Sequence, residues 1–186
     1  MEKQILSKSR FHEVIALSEK EIGKIVFSDQ FSLVDVNTGV NLFPDAFKKD
    51  IDREIQLLKY ANHINDLMVK YIRTEEVESK KMMVMERVYG LPLNHFDSIK
   101  RKSFFKEFEE KLLELHDHGF AHGDIEHPRI YTEERFDNII LTIQGFRLID
   151  TGFSVLESDS PTKFFHTFKQ DRRELRSFEK FFLELG

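Results

Sequence analysis

"LHDHGFAHGDIEHPRI", residues 115–130, places four histidines and three carboxylates in one short stretch. Imidazole and carboxylate serve a metal site, a solvated surface loop and the catalytic loop of an enzyme alike, so spacing has to choose among them. His116 and His118 are two apart, and on a helix they point to different faces instead of pairing at i and i+4 around a zinc ion. The H-E-x-x-H pattern is absent. Both residues flank the expected end of a helix at Gly119, where imidazole is favoured beside the carbonyl terminus. His127 precedes Pro128 and is expected to be exposed in a loop. His122, Gly123 and Asp124 remain: they follow an apolar helix and a glycine turn, and they lead towards a pair of strands.

At 186 residues the chain is one domain, or two small lobes sharing an interface. Its apolar fraction of 40% suffices for a core, and 19 Phe with no Trp carry much of it. The net charge of -5 argues against a broad phosphate-backbone footprint, so no nucleic-acid partner is expected. Cysteine is absent, which excludes disulfides and thiolate chemistry. Charges interrupt the apolar residues of the first twenty positions, and nothing approaches the ~18 consecutive apolar residues of a membrane span. A cytoplasmic protein is the expectation.

The first forty-odd residues are rich in β-formers. "FHEVIAL" (11–17), "GKIVFSD" (23–29) and "FSLVDVN" (31–37) predict three antiparallel strands. In "FPDAFKKDIDREIQLLKYA" (43–61), Pro44 and Asp45 signal a helix start, and Phe47, Ile51, Ile55 and Leu58 share one face. Two further strands, "LMVKYIR" (67–73) and "KMMVMERV" (81–88), flank the polar turn "TEEVESK" (74–80). Gly90 and Pro92 then break the chain. A helix follows from about residue 101, with Phe104, Phe108, Leu112 and Leu115 as its apolar stripe. "NIILT" (138–142) and "FRLID" (146–150) predict a hairpin across "IQG", and residues 168–186 predict a last amphipathic helix. Strands gather in the first half and helices in the second, an α+β layout in two lobes.

In that setting "HGD" (122–124) resembles the catalytic loop of the protein-kinase-like superfamily, and "LIDTGFS" (148–154) resembles its D-F-G segment. The likeness is to the compact, bacterial-type members, in which the middle arginine is often glycine: lipopolysaccharide kinases, aminoglycoside phosphotransferases and the RIO group. The resemblance implies a two-lobed fold with a five-stranded antiparallel small lobe over residues 1–88 and a truncated helical large lobe over 89–186. It implies an ATP- and magnesium-dependent phosphotransferase acting on a hydroxyl of a protein Ser/Thr, a sugar or a small molecule. The alternative is a pseudokinase, the same fold used for nucleotide binding or scaffolding.

Roles come with the resemblance. Asp124 is implied as the base, with His122 beside it, and Asp150 and Asn138 as magnesium ligands. Glu54, in "REIQLLKYA", matches the helix glutamate that pairs with a strand lysine. Backbone groups from Glu86 to Val88, in "MVMERVYGLPL", match the hinge that receives adenine, and Asp171 matches the buried aspartate that steadies the catalytic loop. The chemistry agrees, since phosphoryl transfer asks for a carboxylate to orient the attacking hydroxyl and for oxygen ligands to hold magnesium.

Four positions depart from the pattern. "LSEKEIGKIVF" (17–27) keeps only Gly23 where a glycine-rich phosphate loop is expected. The usual separation from Glu54 leads to Asp35 instead of a lysine, which leaves Lys24, on the neighbouring strand, to hold the phosphates. Five residues past Asp124 stands Arg129, so Asn138 serves as a metal ligand only across an insertion of some nine residues. Gly123 removes the usual partner of an activation-loop phosphate, and loop phosphorylation is not expected as a switch.

Overall fold

The computed structural model describes residues 4–8, 12–27, 50–126 and 136–185. The expected strand at 31–37, the helix-start signal at Pro44 and Asp45, Phe47, and the positions of Asp35, His127 and Arg129 lie outside the described residues. Two compact units emerge, Met1–Ile55 with Ile72–Arg87, and Gln56–Tyr71 with Val88–Gly186.

The first unit is built on a five-stranded antiparallel sheet, in the order β1-β2-β3-β5-β4. Its strands are β1 (Gln4–Lys8), β2 (His12–Ala16), β3 (Glu21–Val26), β4 (Tyr71–Val77) and β5 (Lys80–Glu86). Among the described residues the sheet includes β1, a strand the sequence did not announce. β1 is an edge strand exposed at every position, so "QILSK" lacks the alternation that would have announced it. Strand β4 begins four residues later than expected, and "TEEV" belongs to it instead of to the turn. The turn itself is Glu78–Ser79, both at positive φ (51° and 60°), as a two-residue type I′ hairpin demands. Ile15, Ile25, Met82 and Val84 form this unit's core. Gly23 is part of that packing, because a Cβ there would collide with the Met82 thioether from the adjacent strand. It sits on β3 and belongs to no phosphate loop. The connection between β1 and β2 is residues 9–11, Ser-Arg-Phe in sequence.

Helix α1 (Ile51–Ile64) carries Asp52 and Glu54 in its first turn, a favourable place for carboxylates near a helix N-terminus. In the second unit, α2 (Ser98–Asp117) starts on an Asp97 cap that accepts the Lys100 N–H, and ends at Gly119 with φ 75°. A short pair, β6 (Phe120–Ala121) with β9 (Val155–Leu156), and the expected hairpin, β7 (Ile139–Thr142) with β8 (Gly145–Leu148), lead to α3 (Pro161–Glu184). α3 begins seven residues before the expected start, with Pro161 in its first turn, so "SPTKFF" is the helix entrance.

The phenylalanines explain themselves here. Phe178 is fully buried and packs against Phe105, Phe108, Phe136, Phe146 and Phe182. Such ring pairs contribute about 0.5–1.5 kcal/mol each beyond area burial, which lets one aromatic cluster clamp α2, β8 and α3 together. Among the described residues no helix is long and apolar enough to cross a membrane.

Candidate active site

The backbone of the loop after β6 is gripped by side chains of α3. Asp171, with no exposed surface, accepts the His122 N–H at Oδ2 (2.7 Å) and the Gly123 N–H at Oδ1 (2.7 Å). The buried His116 ring lies 3.0 Å from the same Oδ2 through Nε2. His116 is thus a structural histidine, and His118 is exposed with its ring against the Glu114 carbonyl. One turn after Asp171, Glu174 accepts the Ile125 and Glu126 N–H groups at Oε2 (3.1 and 3.2 Å). Gln170 joins the two grips, donating to the Gly123 carbonyl (3.2 Å) and to Glu174 Oε1 (2.8 Å). Burial, and next the nearby Asp171 charge, push the Glu174 carboxyl above its ordinary value, while its hydrogen bonds pull the other way.

Gly123 has to be glycine. Its φ is 82°, and a Cβ would meet the Phe153 carbonyl oxygen at 2.8 Å and Thr167 Cγ2 at 2.9 Å. Glycine at 123 therefore lets both the Phe153 carbonyl and Thr167 of α3 pack against the loop.

His122 is fully buried, and its Nε2 reaches the Ile149 carbonyl at 3.0 Å. Ser154 Oγ donates to the His122 carbonyl at 3.0 Å. Together with the β6–β9 pairing, these contacts stitch "HGD" to "LIDTGFS". Asp124 is half-buried, and its N–H points to His122 Nδ1 at 3.3 Å. Asn138, fourteen residues away in sequence, donates through Nδ2 to both the Asp124 carbonyl (2.7 Å) and its Oδ2 (3.1 Å). The Asn138 backbone carbonyl also takes the Ile149 N–H, one residue before Asp150. Asp150 stands at φ 63°, uncommon for a residue with a Cβ though tolerated by Asp, and its Oδ1 accepts the Gly152 N–H at 2.9 Å.

Neither a protein-family model nor a curated protein matches the sequence. Among solved structures, the chain matches the Rio2 kinase–ADP/Mg2+–phosphoaspartate complex of Chaetomium thermophilum with a TM-score of 0.56. The identity is 17%, over 94% of this chain and 55% of that one. The fold is kinase-like. The chain spans about half the length of that kinase.

Among the described strands the third in chain order is β3, and it carries Lys24. The sequence reached Asp35 by the usual separation from Glu54, and that position lies outside the described residues. Lys24 Nζ lies 2.8 Å from Glu54 Oε2, with both side chains almost wholly buried. Glu86 closes β5 opposite Glu21, and Val88 begins the second segment of the second unit. No cluster of three His, Cys, Asp or Glu among the described residues could hold a metal. Asn138 spends its amide nitrogen on Asp124, so the side-chain oxygen is the atom it has to offer a cation, and the Asp150 carboxylate is the other. The hard-oxygen donor set suits magnesium. Glu174 was not legible as a site residue, although a carboxylate on the buried stripe of a Phe-rich helix is a signal of its own.

Proposed function

We propose that the protein is a phosphotransferase that moves the γ-phosphoryl group of ATP to a hydroxyl. The observation that carries this reading is the double hydrogen bond from Asn138 to Asp124. It joins a candidate base and a candidate metal ligand across a long sequence gap, and neither a turn aspartate nor a capping asparagine requires it. The ADP and Mg2+ of the Rio2 kinase complex support nucleotide and magnesium here as well.

In this reading Asp124 orients the acceptor hydroxyl and takes its proton as the oxygen bonds to the γ-phosphorus and ADP leaves. Asn138 holds Asp124 in place and, with Asp150, supplies oxygens to a magnesium ion, which when bound offsets the phosphate charge. His122 has both ring nitrogens within reach of backbone partners, so its part is positioning. Lys24 binds phosphate oxygens and Glu54 holds the lysine extended. Backbone groups from Glu86 to Val88 receive the adenine. The acceptor classes remain a protein Ser/Thr, a sugar or a small molecule.

Calorimetric titration with ATP, with and without magnesium, on the wild type and Asp150→Ala, tests the assignment. Magnesium-dependent binding that weakens at least about tenfold in Asp150→Ala is expected, since a metal-ligating carboxylate is removed. Wild-type protein that binds no nucleotide in either condition sinks it, and leaves the pseudokinase scaffold as the reading.

A further inference from the structure

We infer that Glu174 is a positioning residue for the reaction proposed above, fixing the backbone that follows Asp124 as Asp171 fixes the backbone that precedes it. The inference rests on that proposed function.

The four amides in question belong to His122, Gly123, Ile125 and Glu126. They bracket Asp124, whose own N–H turns inward to the His122 ring. Two carboxylates three residues apart on one helix serve them all, so the orientation of the Asp124 peptide unit is set from both sides by α3. Hydrogen bonds to a charged acceptor are roughly twice as strong as neutral ones, and two amides converge on the single oxygen Glu174 Oε2.

A carboxylate is a costly way to fill this position. Glu174 keeps only 5% of its surface exposed, beside an Asp171 that keeps none. The position lies on the buried face with Leu175 and Phe178, where an aliphatic side chain would pack without desolvating a charge. What an aliphatic side chain lacks is an acceptor for Ile125 and Glu126. The groups facing Glu174 are Asp171, Gln170 and Arg173 from its own helix, and the Ile125–Glu126 backbone from the loop. Of these only the loop backbone belongs to another element. The carboxylate is thus tied to the active loop, and the Gln170 bridge to Gly123 makes the two grips one unit.

Displacement of a reacting group by about 1 Å costs on the order of a hundredfold in rate. The test measures ADP release from magnesium-ATP and magnesium-ATP affinity by calorimetry, with amide hydrogen exchange at residues 125 and 126. Glu174→Gln, Gln170→Ala and, as a control on the exposed face of the same helix, Glu179→Gln are compared with the wild type. For Glu174→Gln the expected result is a kcat lower by about 10–100-fold, ATP affinity within about twofold, and faster exchange at both amides. A smaller fall in kcat is expected for Gln170→Ala and none for Glu179→Gln. A kcat within about twofold of an active wild type in Glu174→Gln overturns the inference and leaves the proposed function standing. Should that variant not fold, an unchanged kcat in Gln170→Ala overturns it equally. Wild-type protein that neither binds nor turns over ATP overturns the proposed function, and the inference falls with it. Binding without turnover in the wild type overturns the phosphotransferase reading in favour of a nucleotide-binding pseudokinase, and the inference falls with it.

Discussion

Lys24 and Glu54 form a buried ion pair whose energetics and proposed chemistry can be separated. At 2.8 Å, and with an effective dielectric of about 20, the direct attraction is ~6 kcal/mol. Desolvating two charges to this depth costs several kcal/mol per ion, so most of the attraction is cancelled and the pair contributes little net stability. Removing one partner is another matter, because the remaining charge stays buried without its counter-ion. Lys24→Met is therefore expected to destabilise by about 3–5 kcal/mol, and Glu54→Leu by a similar amount. The double variant replaces the pair by apolar groups of comparable size and is expected within about 1.5 kcal/mol of the wild type. Urea unfolding of the four proteins measures the cycle. Magnesium-ATP titration of the double variant then asks the functional question, with folding restored and phosphate binding lost as the expected outcome. Single variants as stable as the wild type, or a double variant as unstable as the sum of both, would refute the reasoning. Full ATP affinity in a folded double variant would remove Lys24 from the site.

The other expectations concern α3 and what it touches. Gly123→Ala adds a methyl where the Phe153 carbonyl and Thr167 already stand, at a φ unsuited to alanine. A loss of about 1–3 kcal/mol is expected, read by differential scanning calorimetry as a Tm lower by roughly 2–12 °C. Phe178→Ala removes the ring shared by five aromatic neighbours and is expected to cost about 3–5 kcal/mol in urea unfolding. Asp171→Asn turns an acceptor for three donors into a group that can satisfy fewer, so amide exchange at His122 and Gly123 is expected to accelerate well beyond any change in strand β5. Glu174 holds its proton to higher pH in the folded chain than in the unfolded one. Its contribution to stability is therefore greatest at acid pH and declines as pH rises from about 4.5 through the raised value. The stability difference between wild type and Glu174→Gln, followed by thermal melts across that range, is expected to shift in favour of the glutamine as pH increases.

The runs of β-formers in "HEVIA" and "KMMVME", the helical stripe of α2 and the hairpin around "IQG" were legible from residue type, helical period and turn residues. β1 was not, since an edge strand with every residue in solvent carries no such pattern. The search for a strand lysine went to Asp35 for another reason, the usual separation from Glu54, whereas the structure pairs Glu54 with Lys24 on β3. Asp124 and Asp150 could be located from their motifs. The contact of Asn138 with Asp124 could not be read from spacing, because the usual offset falls on Arg129 and Asn138 stands fourteen residues on. Glu174 was missed for a different reason. Helical periodicity sorts residues into apolar and polar faces, and it has no category for a carboxylate that is buried in order to hold another segment's amides.

The crowding at Gly123 also bears on which sequences lie within reach of this one. An arginine at that position has a side chain far larger than the methyl that already collides with Thr167 and the Phe153 carbonyl, and it would need a backbone angle outside the left-handed region. It could enter only after α3 had withdrawn, and withdrawal would release the amides that Asp171 and Glu174 now hold. Any larger side chain at 123 is thus coupled to the hold of α3 on the loop: a residue that relieved the left-handed angle would have to displace Thr167 and the Phe153 segment together.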